Sequence, residues 1–280
     1  MNSSFLLSVT TFIYGLAAFE YLVFFVFNKK GIGRFASWTA LIGVFGNLAG
    51  FILRWVESYR LGIGHAPLSN LYESLVFFAL TVVVVSLVVE YRQRNPMLGL
   101  FATPFAFLAM AYASLSPAIN DRIQPLIPAL KSNWLIAHVV TCFIGYAAFA
   151  VACGIGLMYL IKRRDSDNAS SLLSLFPPLA ALDELILQLV KFGFLFLTVG
   201  IITGAVWANS AWGRYWGWDP KETWSLITWL IYATMLHFRV FLSWRGKIFA
   251  IFCIIGFLAV LFTYFGVNYL PGLHSYGVIG

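Results

Sequence analysis

Charge is scarce in this chain. Only 10% of its 280 residues are Asp, Glu, Lys or Arg, while 61% are hydrophobic. A soluble domain of this length has too little interior to hide that much apolar surface, so lipid must be the solvent for most of it. Cysteine is nearly missing too, and Cys142, Cys153 and Cys253 stand singly inside apolar runs. With no CxxC, CxxCH or zinc spacing, the chain is neither a thiol redox protein nor itself a c-type cytochrome. The three thiols read as small apolar fillers. Low-complexity tracts and internal repeats are absent, and the loops are too short for a separate soluble domain. The opening apolar run has no basic segment before it and is followed by Lys29, Lys30 and Arg34. It is too long for a signal peptide and reads as a retained helix.

What the chain does have is repeated apolar length. Runs of about 20 residues suit a hydrocarbon core of roughly 30 Å. About eight can be drawn, near 5–27, 35–56, 71–90, 97–115, 133–161, 190–208, 222–240 and 248–267. They do not alternate in polarity as barrel strands would, and inside lipid a segment satisfies its own backbone as a helix. The expected fold is an all-α integral membrane protein. With the N-terminus outside, the inward positions include Lys29, Lys30, Arg34, Arg92, Arg94, Lys162, Arg163, Arg164, Lys191, Arg239, Arg245 and Lys247, 12 of the 18 basic residues. The positive-inside rule then predicts both termini outside. The net charge of +7 mostly records that orientation and calls for no nucleic acid. On the inner side, "PPLAALDELILQLVK" places Glu184, Gln188 and Lys191 on one helical face, which predicts a short helix lying on the interface.

One outward stretch, "WGRYWGWDPKETW" at 212–224, concentrates aromatic rings and charge. Its second half is a helix start, with Asp219 as N-cap, Pro220 at N1 and Glu222 at N3 of a capping box. That alone accounts for Asp219. The rings have an ordinary explanation as well, an interfacial aromatic belt, but belts are spread over many helix ends. Here Trp207, Trp212, Trp216, Trp218, Trp224 and Trp229, six of ten tryptophans, fall within 207–229, with Gly213 and Gly217 letting the backbone turn between them. Such a cluster suits a large flat ligand held by stacking.

A flat ligand also needs anchors. His138 falls in the first turns of the fifth span, His274 in the outward tail and His65 in the first outward loop. His237 lies 17 residues beyond Pro220 in its span, hence roughly 25 Å deeper. Two outer histidines beside an aromatic platform are what axial ligation of a haem iron requires. The deep histidine implies a second site or an unpaired ligand, since intramembrane histidines are usually functional.

At these residues the sequence resembles the CcsA/ResC family of system II cytochrome c synthases. "WGRYWGWDPKETWSLITW" resembles the WWD motif of haem-handling membrane proteins, and "HAPLSNLYESLVF", "ALKSNWLIAHVV" and "GLHSYG" narrow the resemblance. It covers about residues 60–277, so residues 1–60 read as N-terminal membrane helices and 61–280 as the haem-handling core. The resemblance implies haem b bound non-covalently, with His138 and His274 as outer iron ligands. Trp207, Trp212, Trp216, Trp218, Asp219 and Trp224 would lie around it. His237 would pair with a histidine of a CcsB/ResB-like partner subunit. Haem would arrive from the cytoplasmic side and be joined, outside, to the CxxCH thiols of an apocytochrome c. The membrane would be a bacterial inner membrane or a thylakoid. His65, Asn70 and Glu73 match a family motif and read as structural. No partner-like extension precedes the first span, so the chain is expected to lack half of the inner site. A haem exporter, or a b-type membrane cytochrome, is the competing reading. A solute transporter fits least, as no inverted repeat is apparent.

Overall fold

The computed structural model describes residues 2–164, 172–270 and 272. Among them are eight α-helices and no strand: α1 Ser3–Phe27, α2 Lys30–Arg60, α3 Leu71–Gln93, α4 Gly99–Leu115, α5 Asn133–Arg164, α6 Leu179–Trp212, α7 Pro220–Phe241 and α8 Lys247–Tyr264. Seven are long and apolar enough to cross a membrane, α4 together with the short 3-10 turn before it. The exception is α7, 22 residues long, whose apolar run is interrupted by Lys221, Glu222, His237 and Arg239. The chain divides into two compact units, Met1–Pro125 with Ile161–Pro178, and Leu126–Leu160 with Leu179–Gly280.

In the first unit α1 and α2 meet through small residues. A Cβ at Gly43 would lie 2.5 Å from the Tyr14 ring and one at Gly50 would lie 2.6 Å from Leu7, so only glycine allows this approach. Between membrane helices such close contact substitutes for the hydrophobic drive that lipid removes. Polar groups tie the loops. Asn70 caps α3 by accepting from the Glu73 amide at 2.9 Å. The buried Glu73 carboxylate pairs with Arg54 at 2.8 Å and accepts from the Ser69 amide and hydroxyl. Arg54 in turn donates to the Asp121 carbonyl at 2.8 Å. His65, 6% exposed, has its ring nitrogens 2.9 Å from the Ala66 carbonyl and 3.0 Å from that of Gln124. The "HAPLSNLYE" stretch therefore clasps the 57–70 loop to the segment holding Asp121 and Gln124. Glu73→Ala leaves a buried guanidinium unpaired and is expected to destabilise by about 3–5 kcal/mol. Thermal unfolding in detergent checks this, and Arg54→Met with Glu73→Leu should recover much of the loss.

The second unit holds α6, α7, α8 and most of α5. Phe149 of α5 stacks on Tyr232 of α7 with ring centres 3.6 Å apart. Thr228 and Thr263 join α7 to α8 at 2.9 Å, and the Trp229 indole donates to Thr198 of α6 at 2.9 Å. The predicted short interfacial helix is not a separate element. Its residues open the 34-residue α6, since no glycine or proline interrupts the run between Leu179 and Phe192. Glu184, Gln188 and Lys191 do share an exposed face. The adjoining buried face carries Asp183, which makes a bidentate pair with Arg239 (2.7 and 3.0 Å) and accepts from the Gly246 amide at 2.7 Å. That network holds the start of α6 against the α7–α8 turn.

Candidate haem-handling site

The start of α7 forms as its residues dictate. Asp219 accepts from the Lys221 amide at 2.9 Å, and both halves of the capping box with Glu222 are made. Glu222 Oε2, which takes the Asp219 amide at 3.1 Å in that box, also accepts from the Gly217 amide at 2.7 Å, so one carboxylate gathers the end of the tryptophan loop. Gly213, at φ +74°, turns the chain out of α6. Trp218 has φ +57° and is 69% exposed. A bulky residue in the left-handed region costs about 1–2 kcal/mol, and here that strain presents an indole to the surroundings.

The tryptophans gather in groups rather than in one stack. Trp216 and Trp218 meet edge to face at 5.7 Å in the loop. Trp224 packs on Phe262 of α8 at 4.1 Å. Trp207, 3% exposed, stands edge to face with Trp212 at 4.9 Å and donates its indole N–H to the Ala129 carbonyl at 2.9 Å. Its ring is nearly parallel to the imidazole of His138, with centres 6.0 Å apart and planes at 12°. Trp207 is therefore a wall for His138 rather than an open face.

His138 is half-buried on the second turn of α5. Its Nδ1 lies 2.7 Å from the Gly200 carbonyl and 3.6 Å from Cys142 Sγ. The three cysteines are free and buried, and Cys142 turns out to touch the site rather than serve only as filler. His237, on the exposed side of α7, has the rings of Phe238 and Phe241 as its aromatic neighbours among the described residues, at 5.8 and 4.4 Å. Sixteen residues of continuous helix part it from Lys221, about 24 Å at 1.5 Å per residue. His274 lies outside the described residues. Gly272, two positions earlier in sequence, sits against Asp219, whose Oδ2 is 2.6 Å from where a Cβ on that glycine would be. Spacing alone held a clue to the α6 partners of His138, because Gly200 and Gly204 are one helical turn apart in "GIITG".

These elements define an all-α integral membrane protein with an aromatic, histidine-bearing helix end. A solved cytochrome c haem lyase CcmF shares the fold at TM-score 0.68 and 16% identity, over 94% of this chain and 47% of that one. The profile of the cytochrome c assembly protein family matches residues 68–274. The cytochrome c biogenesis protein CcsA of Pyropia yezoensis is 37% identical, over 96% of this chain and 97% of its own. That of Synechococcus sp. (strain CC9605) is 42% identical over 82% of each. The chain belongs to the CcsA family of cytochrome c assembly proteins, and its role is in cytochrome c maturation.

Proposed function

We propose that the chain is the haem-presenting subunit of a cytochrome c synthase. Its substrate is haem b, held without a covalent bond, and an apocytochrome c carrying CxxCH is the acceptor. Each thiol adds its S–H across a vinyl group, so two thioether bonds form and no atom leaves. The chain's own residues bind and orient. His138 and His274 ligate the iron on the outer face, the loop indoles of Trp216 and Trp218 lie against the porphyrin, and Lys221 offers a cation for a propionate. His237 serves an earlier, inner station whose second imidazole comes from a CcsB/ResB-like membrane subunit. Both termini and the tryptophan loop face the periplasm or the thylakoid lumen, according to the membrane. The observation that carries this reading is His138, hydrogen-bonded to the Gly200 carbonyl and backed by Trp207, on the part of α6 that leads into the tryptophan loop. The test is co-expression with a CxxCH reporter, with and without the partner, followed by staining for covalent haem. Staining that needs both chains supports the synthase. Haem delivered outside with no covalent product would make the chain an exporter.

Two substitutions separate binding from stability in the loop. Trp218→Gly removes the indole and also relieves the left-handed strain. It is expected to weaken outer haem binding while thermal stability stays at or above that of the parent. At Asp219, Asn also caps well, so Asp219→Asn should mature more cytochrome than Asp219→Ala, whose lost cap costs about 1 kcal/mol. Equal, complete loss in both would assign the carboxylate charge a direct part in haem binding.

A further inference from the structure

α6 presents Gly200, Gly204 and Trp207 at spacings of four and three residues, which puts all three on one helical face. His138 of α5 lies against that face. The Gly200 carbonyl oxygen can only accept, so its 2.7 Å contact requires the proton on Nδ1. In the neutral imidazole the lone pair is then on Nε2. The space the ring occupies exists only because residue 204 has no side chain. A Cβ there would stand 2.6 Å from His138 Nδ1 and 2.8 Å from Cε1, closer than real contacts permit. Trp207 closes another side with its nearly parallel indole, itself anchored to the Ala129 carbonyl. The two glycines are not equivalent, since a Cβ at 200 would meet Cys142 Sγ at 2.5 Å rather than the imidazole.

We propose that this α6 face is a positioning device for His138: the Gly200 carbonyl fixes the tautomer, Gly204 admits the ring, and Trp207 sets its plane, leaving Nε2 as the iron-binding nitrogen. The proposal rests on His138 being an outer haem ligand. Metal-binding histidines commonly donate their second N–H to a carbonyl or carboxylate, and disturbing that partner typically weakens the metal 10- to 100-fold. A histidine with no ligand role would show only a loss of stability when its pocket is filled.

The experiment uses the complex with the CcsB-like subunit, purified from haem-deficient cells and titrated with ferric haem. Gly204→Ala should weaken the outer site on the order of 10- to 100-fold and convert its low-spin spectrum toward high spin. Added imidazole should restore the low-spin form. Trp207→Phe keeps a ring but loses the bond to Ala129, so it should shift the spectrum the same way and less. In a His138→Gly background supplied with imidazole, Gly204→Ala should have no further effect, because the ring it displaces is gone. An unchanged spectrum in Gly204→Ala, or an equal loss in the His138→Gly background, overturns the proposal. A low-spin outer site that survives His138→Ala overturns the ligand assignment beneath it instead.

Discussion

Replacing His138 or His274 by Ala is expected to abolish covalent haem attachment to a CxxCH reporter, because each removes one axial ligand of the outer haem. The His138 variant should still insert and remain folded, since the imidazole makes polar contacts only with the Gly200 carbonyl and the Cys142 thiol, and no ion pair, among the described residues. Free imidazole should restore part of the activity in the His138 variant. Trp207, Gly204 and Gly200 line the space the ring vacates, so the small molecule has a preformed seat. Heme staining of the reporter checks the first outcome and an imidazole series the second. Normal maturation in both variants would refute the outer-ligand assignment.

The second large effect belongs to His237. Replacing it by Ala should lower the haem that co-purifies with the two-subunit complex and leave the outer site starved. Its imidazole is exposed on α7, with Phe238 and Phe241 as its aromatic neighbours among the described residues, so truncation removes little packing. Its distance along α7 from Lys221, about 24 Å, exceeds what one porphyrin can bridge, so changes in the tryptophan loop should not rescue it. Purified alone, the chain should hold the inner haem poorly, and adding the partner should bring a bis-histidine spectrum. Two fully bis-histidine haems in the isolated chain would refute the shared inner site. His65 would not readily replace the missing ligand, because both its ring nitrogens already face carbonyl oxygens.

The capped start of α7 was legible residue by residue. Asp219, Pro220 and Glu222 act within four positions of one another, and a cap needs nothing from elsewhere in the chain. The exposed stripe of Glu184, Gln188 and Lys191 is equally visible, but it belongs to the first turns of α6 rather than to a separate interfacial helix. Asp183, next to it in sequence, lies on the adjoining buried face and is neutralised by Arg239, 56 residues along the chain. No local pattern reveals that pairing, and without it the segment reads as a surface helix.

The sequence by itself determined that the chain is helical and membrane-embedded, where most of its helices run and where α7 begins. Each of these depends on apolar length or on groups a few residues apart, because a helix in lipid satisfies its backbone locally. Only the tertiary structure decided which tryptophan backs His138, which carbonyl accepts a hydrogen bond from its ring and why residues 200 and 204 are glycines. These contacts depend on how each helix is rotated about its axis. Hydropathy does not encode that rotation in a membrane protein, where the lipid-facing and core-facing sides of a helix are equally apolar. The rotation follows instead from close packing at small residues and from hydrogen bonds between helices, such as the one joining His138 to Gly200 across 62 residues of sequence.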